Sequence, residues 1–166
     1  MRKTLLVMVF IAALGISACT QPTTQTYTIN GQTVSRVRTD TQWGENLHGD
    51  ATYIVSESSM KQYIDDNEDV FNFTQGNPSF EALTHSYDED FFADSLIVLI
   101  TYEENSGSIT HEIEQMTVEN GTLHIDVKRI IPEAGTDDMA AWHLVVELSK
   151  DDYLFDEVNV NTITHD

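Results

Sequence analysis

A single cysteine, Cys19, stands among the 166 residues of this chain. A thiolate can attack a carbonyl, bind a soft metal or accept a lipid. Its neighbours select among these, and Ile16-Ser17-Ala18 lies directly before it. Ser106, Ser108 and His111 are the nearest thing to a Ser–His pair, but Gly-x-Ser-x-Gly is absent. Serine beside glycine reads as turn chemistry. The six histidines are His48, His85, His111, His124, His143 and His165, and none forms His-x-x-x-His. No catalytic residue, metal ligand or cofactor is therefore assigned. Acidic clusters occur at Asp65-Asp66, Glu68-Asp69, Asp88-Glu89-Asp90, Asp137-Asp138 and Asp151-Asp152. None has the spacing of a calcium loop, and they read as solvated surface. With 28 acidic residues some carboxylates must lie close together, so closeness alone does not identify glycosidase chemistry.

Upstream of Cys19, Arg2 and Lys3 give a positive start and Leu5 to Ile16 an almost unbroken apolar run. Basic start, apolar run and small-residue cut site together form a secretory signal. The run is too short for a spanning helix, which needs about 20 residues. With the cysteine at the cut, Ile16-Ser17-Ala18-Cys19 resembles the lipobox of bacterial lipoproteins. The resemblance implies cleavage before Cys19, lipid on its sulfur and amino group, and an extracytoplasmic place at the bacterial membrane or outer surface. Acyl chains would then be the anchor, each buried methylene contributing about 0.8 kcal/mol.

Cleavage removes 18 of the 166 residues and leaves 148, enough for one domain with a sizeable core. Removing Arg2 and Lys3 from eight basic residues leaves six against 28 acidic ones, a net charge of −22. Such a surface repels phosphate backbones, which argues against nucleic-acid binding. It also repels anionic head groups. With Cys19 lipidated no disulfide is available, so the fold rests on burial.

Residues 19–25 read as the lipidated cysteine and a polar tether, and 26–166 as one β-rich domain. Asn30-Gly31 and Asn120-Gly121 each lie between β-prone stretches and predict tight hairpins. Thr39 to Asp50 reads as loop and Ala51 to Val55 as a short strand. Ser58 or Ser59 could cap a short helix with Met60, Tyr63 and Ile64 on one face. Asn77-Pro78 punctuates the chain, and Ser79 to Thr84 is a helical turn. Leu96 to Ile100 has no polar break and predicts a strand buried on both faces. The second hairpin sets Val118 opposite Leu123 and Met116 opposite Ile125. Ile109, His111 and Ile113 then have the wrong parity, which predicts a bulge near Glu114-Gln115. Past the bulge Ile113 meets Val127 and His111 meets Arg129. Ala141 to Leu148 alternates as a half-buried strand with His143 and Glu147 outward. Tyr153 to Phe155 and Val158 to Ile163 supply a last short strand. About seven strands with one or two short helices and short connections predict a mainly β (α+β) fold. Its sheets are antiparallel and sandwich-like.

From about Phe91 to Lys150 the order is apolar strand (Leu96 to Ile100), small-residue turn (Asn105-Ser106-Gly107-Ser108-Ile109), hairpin (Thr110 to Val127), Pro-containing loop (Pro132 to Asp138) and apolar strand (Ala141 to Leu148). This order resembles the C-terminal domain family of protease complex subunit PrcB. Many members carry a Thr-Gly-Gly-Tyr-like turn where this chain has Ser106-Gly107-Ser108-Ile109. The resemblance implies a β-rich extracytoplasmic binding module that assists or restrains a peptidase. The register brings Ile109 beside Ile131, so the loops at 105–108 and 133–139 emerge on one rim with Trp142 just inside. The candidate partner-binding residues are Asn105, Ser106, Gly107, Ser108, Met139 and Trp142, with a peptidase or other envelope protein as partner. The competing reading is a small extracytoplasmic hydrolase assembled from scattered carboxylates.

Overall fold

The computed structural model describes residues 24–41 and 47–165. The expected signal segment, Cys19 and most of the expected tether lie outside these residues. The described residues form a mainly β fold with three short helices.

The first hairpin pairs β1 (Thr24–Ile29) with β2 (Gln32–Thr41), Ile29 opposite Gln32. Thr24 and Gln25, expected in the tether, already belong to β1. Next come β3 (His48–Ile54), α1 (Glu57–Asn67), the short β4 (Phe71–Asn72) and α2 (Phe80–Thr84). The strand expected at Ala51 starts earlier, because His48 already pairs with Tyr102. The cap of α1 is Ser56, not Ser58 or Ser59. Its side chain accepts from the Ser59 backbone while the Ser59 hydroxyl accepts from Ser56 N, a reciprocal capping box. A third helix, α3 (Glu89–Asp94), was not expected. The acidic run Asp88-Glu89-Asp90 starts it, Asp88 accepting from Phe91 N at 2.9 Å. Carboxylates at a helix start satisfy free amides and oppose the dipole.

The remaining strands are β5 (Ser95–Glu104), β6 (Thr110–Glu119), β7 (Thr122–Ile130), β8 (Ala140–Ser149) and β9 (Glu157–His165). The larger sheet runs β1-β2-β8-β5-β3, with β4 added beside β2; the smaller runs β6-β7-β9. The β6–β7 register is the expected one: Val118 opposite Leu123, Met116 opposite Ile125, a shift between Ile113 and Gln115, then Ile113 opposite Val127 and His111 opposite Arg129. Asn120 and Gly121 both have positive φ, 53° and 83°, the type I′ pattern. A Cβ on Gly121 would meet nothing closer than 3.9 Å, so a substitution there probes backbone strain without a clash. Gly121→Val should cost about 1–3 kcal/mol, and chemical denaturation of the full chain checks it. An unchanged midpoint would contradict the turn.

The named strands pair antiparallel, as expected, with one exception. β9 pairs parallel to β7, not antiparallel to a neighbour. After β7 the chain crosses to the larger sheet for β8 and returns for β9 in the original direction. Residues 153–155, expected in the last strand, lie before β9. The strand β8 is also not half-buried. It sits between β2 and β5, and His143 is completely buried.

Both faces of the larger sheet are covered. One packs on the smaller sheet, where Val98, Ile100, Leu144 and Val146 meet Ile113, Met116, Leu123, Ile125 and Val127. The other lies under the helices and β4, where Val37, Ile97, Leu99 and Val145 meet Met60, Phe71, Phe73, Phe80 and Phe92. That second core is why β5 is apolar without alternation.

Candidate functional site

Both loops of the expected rim join the two sheets at one end. Glu104 opposite Ala140 is the last β5–β8 rung, and Thr110 opposite Ile130 the first β6–β7 rung. The chain therefore crosses from β5 to β6 through 105–109 and from β7 to β8 through 131–139. The loops are tied to each other. Gly107 N donates to Asp138 O at 2.8 Å. Thr136 N donates to the hydroxyls of Ser106 and Ser108, each at 3.0 Å. Arg38, reaching up from β2, forms an ion pair with Asp138. Hydrogen bonds from Thr136 and Arg38 hold the Asp138 carboxyl below the usual carboxylate range.

The six candidate residues are therefore not equivalent. Asn105 and Met139 face solvent, Met139 at 45% exposure. Gly107 and Ser108 lie within the cross-tied turn, and Ser106 is turned inward at 9%. Trp142, expected to present aromatic surface, is 2% exposed. Its side chain points between the sheets, with the Arg36 guanidinium 5.0 Å from the ring centroid. Residue parity along β8 decides this, because Trp142 shares the inter-sheet face of Leu144 and Val146. The ring braces the rim from below and offers a partner no area. Ser106 and Ser108 make their hydroxyl contacts to Thr136, while His111 faces Glu104 and Tyr102. The loops and His111 do not form a Ser–His pair.

Below the rim lies an ionic network that sequence reasoning missed. Arg129 grips Glu104 with two bonds of 2.6 Å, from Nε and from one terminal nitrogen. His111 Nε2 lies 2.9 Å from the same carboxylate, and its ring stacks on Tyr102 at 3.9 Å. Arg36 reaches the His111 carbonyl at 3.4 Å. Burial alone would raise the Glu104 pKa, but the bonds from Arg129 and His111 outweigh it and hold the group at about 2. Burial pushes the His111 imidazole below its usual value; Glu104 opposes this, and Arg129 and Arg36 add to it. A carboxylate held at about 2 neither gives nor takes a proton near neutrality. Neighbouring Glu103 points to the opposite face of β5, where Thr41 donates to it at 2.6 Å. The two adjacent acids are therefore not a catalytic pair.

One signal for the network was available. The register placed His111 beside Arg129 on an inner face, and a buried cation requires an anion. The strand that enters the same rim ends in Glu103-Glu104.

Comparison with known proteins returned nothing. No family model, curated protein or solved structure matches the chain. Among the described residues no group of three or more His, Cys, Asp or Glu is placed to hold a metal, and no helix is long and apolar enough to cross a membrane.

The rim can be opened selectively. A Cβ on Gly107 would sit 2.6 Å from an Asp138 carboxylate oxygen and 2.7 Å from two Arg38 nitrogens. All three are ends of flexible side chains, so they can swing away. Gly107→Ala should part Arg38 from Asp138 while stability changes by about 1 kcal/mol or less. Amide exchange at 105–108 and 136–138 should quicken with the thermal midpoint almost unmoved. Unchanged exchange would show that the loops do not depend on this contact.

Proposed function

We propose that this chain is a membrane-tethered extracytoplasmic lipoprotein whose β-rich domain binds a protein partner through the rim. Its role is that of a subunit or modulator of a surface protease, as the resemblance to the PrcB C-terminal family implies. The observation that carries the reading is the cross-tied rim. Two loops that could have been independent are held in one arrangement by Asp138, Thr136, Ser106 and Arg38. A surface ordered before binding loses less entropy when a partner docks. Met139 supplies exposed apolar area at its edge. Anchoring rests separately on the lipobox-like run ending at Cys19.

Each half has its own test. Fatty-acid labelling in cells should mark the wild type and not Cys19→Ala; an unlabelled wild type sinks the lipoprotein half. For the binding half, a photo-crosslinking residue is placed at 139 or, as control, at exposed Val118 on β6 of the full chain. Position 139 should give a discrete protein adduct that Gly107→Ala weakens and position 118 does not give. No adduct at 139, or the same adducts at both positions, overturns the rim as binding surface.

A further inference from the structure

A second surface, away from the rim loops, is built along α1. A cleft of about 500 Å³ is lined by Ile64, Val70, Phe71 and Phe73 with Asp40, Glu68, Asp69 and Glu81. A second cleft, of about 280 Å³, is lined by Met60, Ile64, Tyr87, Glu57, Asp65, Glu81 and Asp88. The two adjoin at Ile64 and Glu81, beside α1 and α2, and together make up one grooved surface. Its floor is apolar and its walls carry seven carboxylates. The lysine of the lining, Lys61, is paired with Glu57 one helical turn away, and His85 also lines the cleft.

We propose that this groove docks an extended, basic segment of a protein partner, with apolar side chains on the floor and lysine or arginine side chains along the walls. Three physical points select that occupant. The walls complement cations and repel anions. The floor needs apolar atoms, which a free inorganic cation lacks, whereas lysine and arginine bring aliphatic stems as well as charge. A second copy of this chain is disfavoured because its formal net charge is −20. The groove also has rigid sides. Beneath Phe71, Phe73 and Phe80 lies His143, with ring centroids 4.8, 5.7 and 4.9 Å away, and Ser79 caps α2 at 3.1 Å.

The inference names a partner chemistry for the binding module proposed above, but uses none of the rim residues, so either can fail alone. The test uses the purified full chain in detergent and a fluorescent, capped twelve-residue peptide alternating lysine with leucine. A second peptide replaces every lysine with glutamate. Two charge-matched variants separate the groove from the general field: Glu68→Gln/Asp69→Asn/Glu81→Gln in the walls, and Asp151→Asn/Asp152→Asn/Glu157→Gln outside the groove. All six positions are exposed, so both variants should fold. The lysine peptide should bind, and its affinity should fall at least tenfold in the groove variant and less than twofold in the control. Amide shifts should cluster at Ile64, Val70 and Glu81. Equal loss in both variants, shifts elsewhere, or equal binding of the glutamate peptide would each overturn the groove as a docking site.

Discussion

Replacing His143 with phenylalanine should flatten the acid side of the stability curve. His143 is completely buried on β8, ringed by Phe71, Phe73, Phe80 and Tyr63. Its nearest polar contact is Thr39 Oγ1, 3.5 Å from Nδ1. Burial holds its pKa at about 3, against 6.5 for the free side chain. Between those values the unfolded chain binds a proton that the folded chain refuses. Stability is therefore intact above pH 6.5 and falls as pH drops toward 3. At about 1.4 kcal/mol per pH unit the full loss approaches 5 kcal/mol. Phenylalanine fits the aromatic surroundings and cannot be protonated. Thermal midpoints of the full chain from pH 7.5 to 4.5 should fall less in His143→Phe than in the wild type. His111, also depressed, leaves a residual slope of the same sign. Because the readout is the slope, a packing penalty at neutral pH does not obscure it. Parallel slopes would mean that His143 is protonated as easily in the folded protein as outside it.

Cutting the ionic network should cost most when the arginine is removed. Glu104 has 5% of its side chain exposed and Arg129 24%. Arg129→Met leaves a charged carboxylate in the interior without its two-bond partner, a change that costs about 3–5 kcal/mol. Glu104→Gln leaves an arginine that can reach water, and should cost less. The pH dependence gives an independent check. In the wild type the folded-state pKa of Glu104 is about 2, below the 4.5 of the free side chain. Its contribution is present above pH 4.5 and disappears as pH falls toward 2. Without Arg129 the group should protonate at a higher pH, so the Arg129→Met penalty should be smaller at pH 4 than at pH 7. Denaturant unfolding of the three proteins at both pH values measures this. Equal costs for the two variants, or a penalty independent of pH, would show that burial of Glu104 does not govern the network.

The network also shows why the rim was only half legible. His111 opposite Arg129 followed from one Asn-Gly turn and one change of parity, both local to the hairpin. Glu104 belongs to another sheet, and Arg36 to a strand 75 residues from His111. Their meeting depends on how the sheets are stacked, and no periodicity encodes that. The same holds for Trp142. Its side of β8 could be read from alternation, but not that the other side would be covered too. Local pattern made His143 an outward residue of a half-buried strand, and the aromatic groups of β4, α2 and their flanks made it a core residue.

What the sequence determined by itself was whatever is decided within a few residues. The Asn-Gly turns, the bulge after Ile113, the apolar strand from Leu96 and the helical turn from Ser79 to Thr84 are of this kind. Tertiary structure decided the strand order β1-β2-β8-β5-β3, the parallel return of β9, the cross-tied rim and the groove beside α1. Each depends on which distant segments become neighbours. That choice minimises the apolar area left in water over the whole chain, a quantity that no single window of sequence contains.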